Sequence, residues 1–297
     1  MNNTKDTILR QLLEPYRTLF SSVSFQGLEE IRFRIARPII LYYHNCTKYL
    51  SENGVTSFPH LAKCVTKAEL EDVSSCLLSH SVYAYLNDIK DGFATIRGGH
   101  RVGLAGKCVI KNGQVTGITS ISGINIRIAR EFPGCSKALA EQLQTKTGVK
   151  NTLLISPPQC GKTTYLRDLA RIFSQKYKIT IVDERSEIAG TFEGIPQFDI
   201  GPQTDVLDRF PKTSGMILAL RSLSPQILLT DELGDEKDAE AIGKLHGAGC
   251  QLIASMHGDN LSELRRVKKE LLSFFDVAVL MGRKEGIPSV LSIESMR

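Results

Sequence analysis

The sequence predicts an α/β protein: a predominantly parallel sheet with helices on both faces, preceded by a smaller α+β domain. Three observations carry that expectation. From about Ser136 onward, short apolar runs alternate with helix-length amphipathic segments, the pattern of a parallel sheet covered on both faces. Before that point the pattern is of alternating charged and apolar residues, glycine-rich turns and one helix-length segment. Third, NTLLISPPQCGKTT (151–164) joins an apolar strand to an amphipathic helix through a Gly-Lys-Thr turn. A chain of 297 residues has room for two ordinary domains. The expected division is 1–130 and 136–297, with 131–135 as a linker broken by Pro133-Gly134.

In chain order, residues 1–20 carry Ile8, Leu9, Leu12, Leu13, Tyr16, Leu19 and Phe20 at helical spacing. Pro15 ends one helix or begins the next, and the stripe is expected to pack on its own domain. Glu30–Tyr43 alternates charged and apolar residues before Pro38 and reads as strands. A helix follows over Thr66–Leu78. Phe93–Ile110 reads as short strands turning at Gly98-Gly99, and Lys111–Gln114 is a second turn. Ile124–Ile128 closes this domain. In the second domain, strands are expected at Thr152–Ile155, Ile179–Val182, Gln226–Thr230 and Gln251–Ser255. The helices fall near Thr163–Ser174, Gly215–Leu223, Glu236–Gly247 and Leu261–Phe275, before a hairpin turning at Lys284-Glu285-Gly286.

Composition excludes several classes. Hydrophobic content of 42% with 23% charged residues is ordinary for a soluble globular protein, and a net charge of +5 is mild. No basic run is interleaved with aromatics and Trp is absent, so no nucleic-acid partner is expected. Cys46, Cys64, Cys76, Cys108, Cys135, Cys160 and Cys250 form no Cys-x-x-Cys pair, which removes zinc spacing and a disulfide framework and suits a reducing cytosol. No apolar stretch approaches the roughly 20 residues that span a bilayer. The N-terminus lacks a signal-peptide core, so the expected place is the cytoplasm, with only peripheral contact to a membrane.

Four segments carry chemistry. A strand delivering a tight loop into a helix N-terminus aims backbone N–H groups and the positive helix dipole at one spot, which suits phosphate. The candidate binding residues are Ser156, Pro157, Pro158, Gln159, Cys160, Gly161, Lys162, Thr163 and Thr164. Lys162 can reach β/γ-phosphates and the Thr163 hydroxyl can ligate Mg²⁺. Ser156 stands where the full pattern has Gly, and Cys160 reads as a small residue in a tight turn. Next, QILLTDE (226–232) ends an apolar strand in two acids at the sheet edge where ligands bind. Asp231 would hold Mg²⁺ through water, and Glu232 would orient and deprotonate an attacking water; a solvated acidic strand end is the bland alternative. IVDERSE (181–187) supplies Asp183, Glu184 and Glu187 as rival bases, or else a loop compensated by Arg185. LIASMH (252–257) aims His257 at the same edge as a sensor of γ-phosphate or water.

In this order the segments resemble the ATPases that power type II and type IV secretion and pilus motors. SPPQCGKTT, IVDERSE, ILLTDELGD and ASMHGDN answer to that family's Walker A loop, acidic box, Walker B strand and His box. ALRSLSP (219–225) is similar to its helix end, with Arg221 in the usual place. The resemblance implies a RecA-like P-loop ATPase core using ATP and Mg²⁺. Departures are Ser156, Asp231 where those motors usually have Gly, and the missing zinc cysteines of some type II members. RGGHRVGLAGKCVI, INIRIARE, ISPPQCGKTT, VDERSEIAG, GPQTDVLD, PKTSGM and DELGD resemble, more closely, the stage III sporulation AA family of endospore-forming bacteria, from about Glu29 onward.

That likeness implies a mother-cell ATPase docked at the membrane facing the forespore, where it energises a channel. It implies a homo-oligomeric ring, hexameric, with membrane-embedded sporulation channel proteins as partners. In secretion ATPases the N-terminal domain and neighbouring subunits complete the nucleotide site, which makes Arg101, Arg127 and Arg130 candidate contacts to phosphate. Alternating Arg on INIRIAR also fits the solvated face of an edge strand. A nucleic-acid-dependent motor and a nucleotide-gated assembly platform with little hydrolysis are the competing functions.

Overall fold

The computed structural model describes residues 4–44, 46–78, 93–234, 236–258 and 261–296. Asp235, Asp259 and Asn260, which belong to motifs quoted above, lie outside the described residues. Contacts divide the chain into two units, Met1–Arg130 and Glu131–Arg297.

In the first unit the N-terminal stripe folds as α1 (Thr4–Arg10) and α2 (Tyr16–Ser21). Ile8, Leu12, Tyr16 and Phe20 are buried in one core with Leu28, Ile31 and Phe33, whereas Leu13 stays exposed. Tyr16 meets Phe33 edge-on at 5.6 Å. The stripe is therefore internal packing. The strands are β1 (Leu28–Arg34), β2 (Ile40–Tyr43), β3 (Cys46–Ser51), β4 (Gly54–Thr56), β5 (Ala94–Ile96), β6 (His100–Lys111) and β7 (Gln114–Arg127). They form one sheet in the order β4-β3-β2-β1-β7-β6-β5, antiparallel at every pairing. Parallel pairing of named strands is thus confined to the second unit. Helix α3 (Lys67–Leu77) starts with a reciprocal cap in which Thr66 and Glu69 satisfy each other's backbone N–H.

The second unit runs α4 (Lys137–Leu143), β8 (Thr152–Ser156), α5 (Lys162–Phe173), β9 (Ile179–Asp183), β10 (Thr204–Asp208), α6 (Lys212–Ser222), β11 (Ile227–Thr230), α7 (Glu236–Gly247), β12 (Gln251–His257), α8 (Leu261–Val267), α9 (Lys269–Leu272), β13 (Val277–Lys284) and β14 (Ile287–Ser295). Its sheet order is β10-β9-β11-β12-β8-β13-β14. All pairings are parallel except the terminal hairpin β13–β14. Side chains alternate across a strand, so Leu154, Ile181, Leu229 and Ile253 pack with Leu166, Leu169 and Phe173 of α5. Leu153, Ile155, Leu228 and Leu252 point the other way, onto Met216, Ile242, Leu245 and Phe275. Both faces are covered, as continuous apolar strands require.

Several elements differ from expectation: β3, β4 and α4 were not expected, and β7 begins at Gln114 rather than at Ile124. β10 is an added edge strand whose half-buried TDVLD carries no apolar run. The single helix expected over Leu261–Phe275 is broken at Lys268, where φ is −120°. Asp168 of α5 is buried and seats the segment leading into the unit: it accepts from the N–H of Gly134 (2.9 Å), the N–H and hydroxyl of Ser136 (2.7 and 2.8 Å), and Arg171.

Candidate functional site

Parallel register brings the four segments to one edge. His257 pairs with Ser156 across β12 and β8. Thr230 pairs with both Ala254 and Val182, which sets Asp231 level with Ser255 on one side and Asp183 on the other. Strand ends β9, β11, β12 and β8 therefore line up with the loop Pro157–Gly161 at one side.

That loop turns twice through left-handed backbone, at Gln159 (φ 61°) and Gly161 (φ 84°). A Cβ on Gly161 would lie 2.8 Å from Cβ of Pro288, so glycine is required there by conformation and by space. Lys162 is buried. Its ammonium donates to Ser156 O (3.0 Å), Ser156 Oγ (3.1 Å) and Pro157 O (3.2 Å), and lies 3.1 Å from Nδ1 of His257. The serine that replaces the usual glycine thus helps to hold the lysine. Cys160 is buried, with Sγ 3.6 Å from Pro158 O. Thr163 is half-buried, and Thr164 lines a narrow cleft with Pro133 and Arg167.

An ammonium only donates, so His257 Nδ1 accepts and the proton of a neutral ring sits on Nε2. Nε2 then donates to Glu232 Oε1 at 2.9 Å. Lys162 and Glu232 are joined through one imidazole. Glu232 Oε2 takes Arg185 at 2.8 Å. Glu232 itself is left-handed (φ 48°), with its N–H on Ser255 Oγ (3.1 Å) and its carbonyl on Lys212 Nζ (2.6 Å). Burial raises its proton affinity, but the His257 hydrogen bond and the charges of Arg185 and Lys162 outweigh it and hold the carboxyl below the usual range.

Asp231 is nearly fully buried, and its Oδ2 has no hydrogen-bond partner among the described residues. Burial first, then the carboxylates of Asp183, Glu187 and Glu232, push it up to about 7 against the pull of Lys212. Asp183 is also fully buried but saturated. Its Oδ1 accepts from Glu187 N (2.7 Å) and its Oδ2 from Ile188 N (2.9 Å) and Ala189 N (2.8 Å). Arg167 braces the same loop through the carbonyls of Ile188 and Glu187. Burial still pushes Asp183 up to about 6, opposed by those N–H groups. As a rival base Asp183 is badly placed, because its oxygens close a loop. Glu184 is tied to Lys212, 3.4 Å from its Nζ and accepting its N–H at 3.4 Å.

The arginines divide. Arg101 and Arg127 are cross-strand partners in β6 and β7. The Arg101 guanidinium lies over the Phe93 ring at 4.6 Å, Arg127 Nε is 3.7 Å from Glu30, and Arg130 donates to Leu28 O at 2.7 Å. Each has a partner within the first unit. Arg221 is misplaced by its motif. α6 begins at the site edge with Lys212, and Arg221 lies in its last turn, about 14 Å along the axis at 1.5 Å per residue. The helix returns antiparallel to the strands, so its end reaches the opposite edge. Arg185, Lys212 and Ser255 were not foreseen as site residues; the only signal was Arg185 among three acids and Lys212 in PKTSGM.

Magnesium fits the donor set. The buried unpartnered oxygen of Asp231 and the Thr163 hydroxyl are hard oxygen donors, and Mg²⁺ is commonly held by one or two protein oxygens together with phosphate and water. Among the described residues no group of three or more His, Cys, Asp or Glu could hold a metal by itself.

The sequence profile of the family described as "Sporulation stage III, protein AA" matches residues 2–296. The chain belongs to this family. Stage III sporulation protein AA of Bacillus subtilis (strain 168) is 42% identical over 245 residues, 80% of this chain and 76% of that protein. Among solved structures, the pilus retraction motor PilT with bound ADP aligns at a TM-score of 0.57 and 14% identity, over 91% of this chain and 77% of that one. The Legionella pneumophila ATPase DotB aligns at 0.55 and 14% identity, over 86% and 72%. At such identities the likeness is one of fold, that of secretion and pilus ATPases. Among the described residues no helix is long and apolar enough to cross a membrane.

Proposed function

We propose that this member of the sporulation family is an ATPase that binds Mg·ATP at the carboxyl edge of its parallel sheet and hydrolyses it to drive a membrane channel complex. One observation carries the reading: a hydrogen-bonded chain from Lys162 through His257 to Glu232, laid across the phosphate loop. Phosphate oxygens replace Ser156 O and Pro157 O as acceptors for Lys162, and the N-terminus of the 12-residue α5 adds its dipole. As Lys162 turns to phosphate, His257 Nδ1 loses its donor, so the occupancy of the loop is reported to Glu232. Glu232, fixed by Ser255 and Lys212, orients the attacking water. Bound Mg²⁺, held by Thr163 and Asp231, would supply charge neutralisation on the β- and γ-oxygens. Arg101, Arg127 and Arg130 are assigned to the nucleotide of a neighbouring copy in a ring, hexameric as the family resemblance implies, and channel proteins hold that ring at the membrane.

The test is nucleotide binding by calorimetry and phosphate release by purified protein. Lys162→Ala is expected to lose binding, and Glu232→Gln to keep binding while turnover falls by about a hundredfold or more. Folded wild type without affinity for Mg·ATP would end the proposal. A nucleotide-gated platform is favoured by one feature: both Glu232 oxygens are engaged and its proton affinity is lowered, which makes a poor base until one partner leaves. A platform tolerates Glu232→Gln in assembly; a motor does not.

A further inference from the structure

The terminal hairpin grips the phosphate loop through one cross-strand pair. Arg283 of β13 and Pro288 of β14 are register partners. Arg283 donates to the carbonyl of Gln159 at 2.9 Å and is braced by a second bond to Gly286 O at 3.0 Å. Pro288 closes on Gly161, where any Cβ would come within 2.8 Å of it. The pair thus contacts both left-handed residues of the loop, Gln159 and Gly161. β13 also pairs directly with β8, the strand that delivers the loop, so hairpin and loop are fixed to one frame.

A trans peptide is planar, and its C=O points opposite to the N–H of the next residue. A guanidinium that holds the Gln159 carbonyl toward the hairpin therefore turns the Cys160 N–H away from it. We infer that Arg283 is a positioning residue for anion binding: it orients the Gln159–Cys160 peptide so that the Cys160 N–H faces a bound phosphate. This inference rests on the nucleotide-site reading above. Gln159 bears a Cβ in a region that L-residues seldom occupy, so the turned peptide needs such an external hold.

The experiment is calorimetry on the full chain with Mg·ADP and with inorganic pyrophosphate, alongside steady-state ATP hydrolysis. Arg283→Ala is expected to weaken both ligands by about tenfold and to raise KM for ATP, with kcat within about twofold, since a hydrogen bond from a charged donor is lost outside the reacting atoms. Arg283→Lys should recover most of the affinity. The side chain is exposed, so melting temperatures should barely move. Wild-type affinity in Arg283→Ala overturns the inference and leaves the site reading intact. So does weaker ADP binding with unchanged pyrophosphate binding, which would make Arg283 a contact to the nucleoside. A wild type that binds neither ligand overturns the site reading and this inference together.

Discussion

Two strands end at the same edge beside a buried aspartate at one register level, Asp183 closing β9 and Asp231 following β11, and the two carboxylates differ in how their oxygens are satisfied. Asp183 gathers three backbone N–H groups and closes the loop Glu187–Ala189. Asp231 keeps an oxygen without a partner among the described residues, crowded by other carboxylates. Burial alone does not separate a structural carboxylate from a ligand-ready one. Hydrogen-bond satisfaction distinguishes them, because an unpaired buried oxygen costs stability that a bound proton or an incoming group can return.

The contrast has measurable consequences in urea unfolding. The largest falls on the satisfied partner: Asp183→Ala strands three backbone N–H groups, two of them buried, and should cost about 4 kcal/mol. A loss under about 1 kcal/mol would break the distinction. Asp168 extends the satisfied class, and Asp168→Ala should cost about 2 kcal/mol at pH 7. Burial raises the Asp168 carboxyl, but bonds from Gly134, Ser136 and Arg171 outweigh it and hold it below its ordinary 3.8. A lowered folded value means that the stabilisation is complete above 3.8 and disappears as pH falls through the lowered value. The gap between wild type and Asp168→Ala should therefore close as pH drops below that range, and a constant gap would mean that packing, not charge, is responsible. The smallest effect has the opposite sign: Asp231→Asn should gain about 1 kcal/mol without nucleotide. If the chain binds Mg·ATP as proposed, wild type gains stability from it and this variant should not, which a thermal shift with Mg·ATP checks. Destabilisation of Asp231→Asn would place both aspartates in one class.

Much of this architecture was legible in the chain. Apolar runs such as LLIS and ILLT specify strands buried on both faces, and Gly161-Lys162-Thr163 announces the loop. β10 was invisible because an edge strand needs no apolar run. The roles of Asp183, Glu184 and Glu187 were not separable, since three neighbouring acids look alike until backbone N–H groups choose among them. Arg185, Lys212 and Ser255 reach Glu232 from three different segments, contacts that leave no local pattern. Arg221 misled for the converse reason: a motif fixes position along the chain, while helix direction decides which edge of the sheet it reaches.

The left-handed backbone at Glu232 bears on how variants there should be chosen. Glycine would sit in that conformation at lower cost and β-branched residues at much higher cost. Valine and glycine at 232 both delete the carboxylate, yet only valine also dislodges the turn that Ser255 and Lys212 secure. Under the proposed role of Glu232 an activity screen would score the two replacements alike, whereas a thermal shift would tell broken scaffolding from missing chemistry.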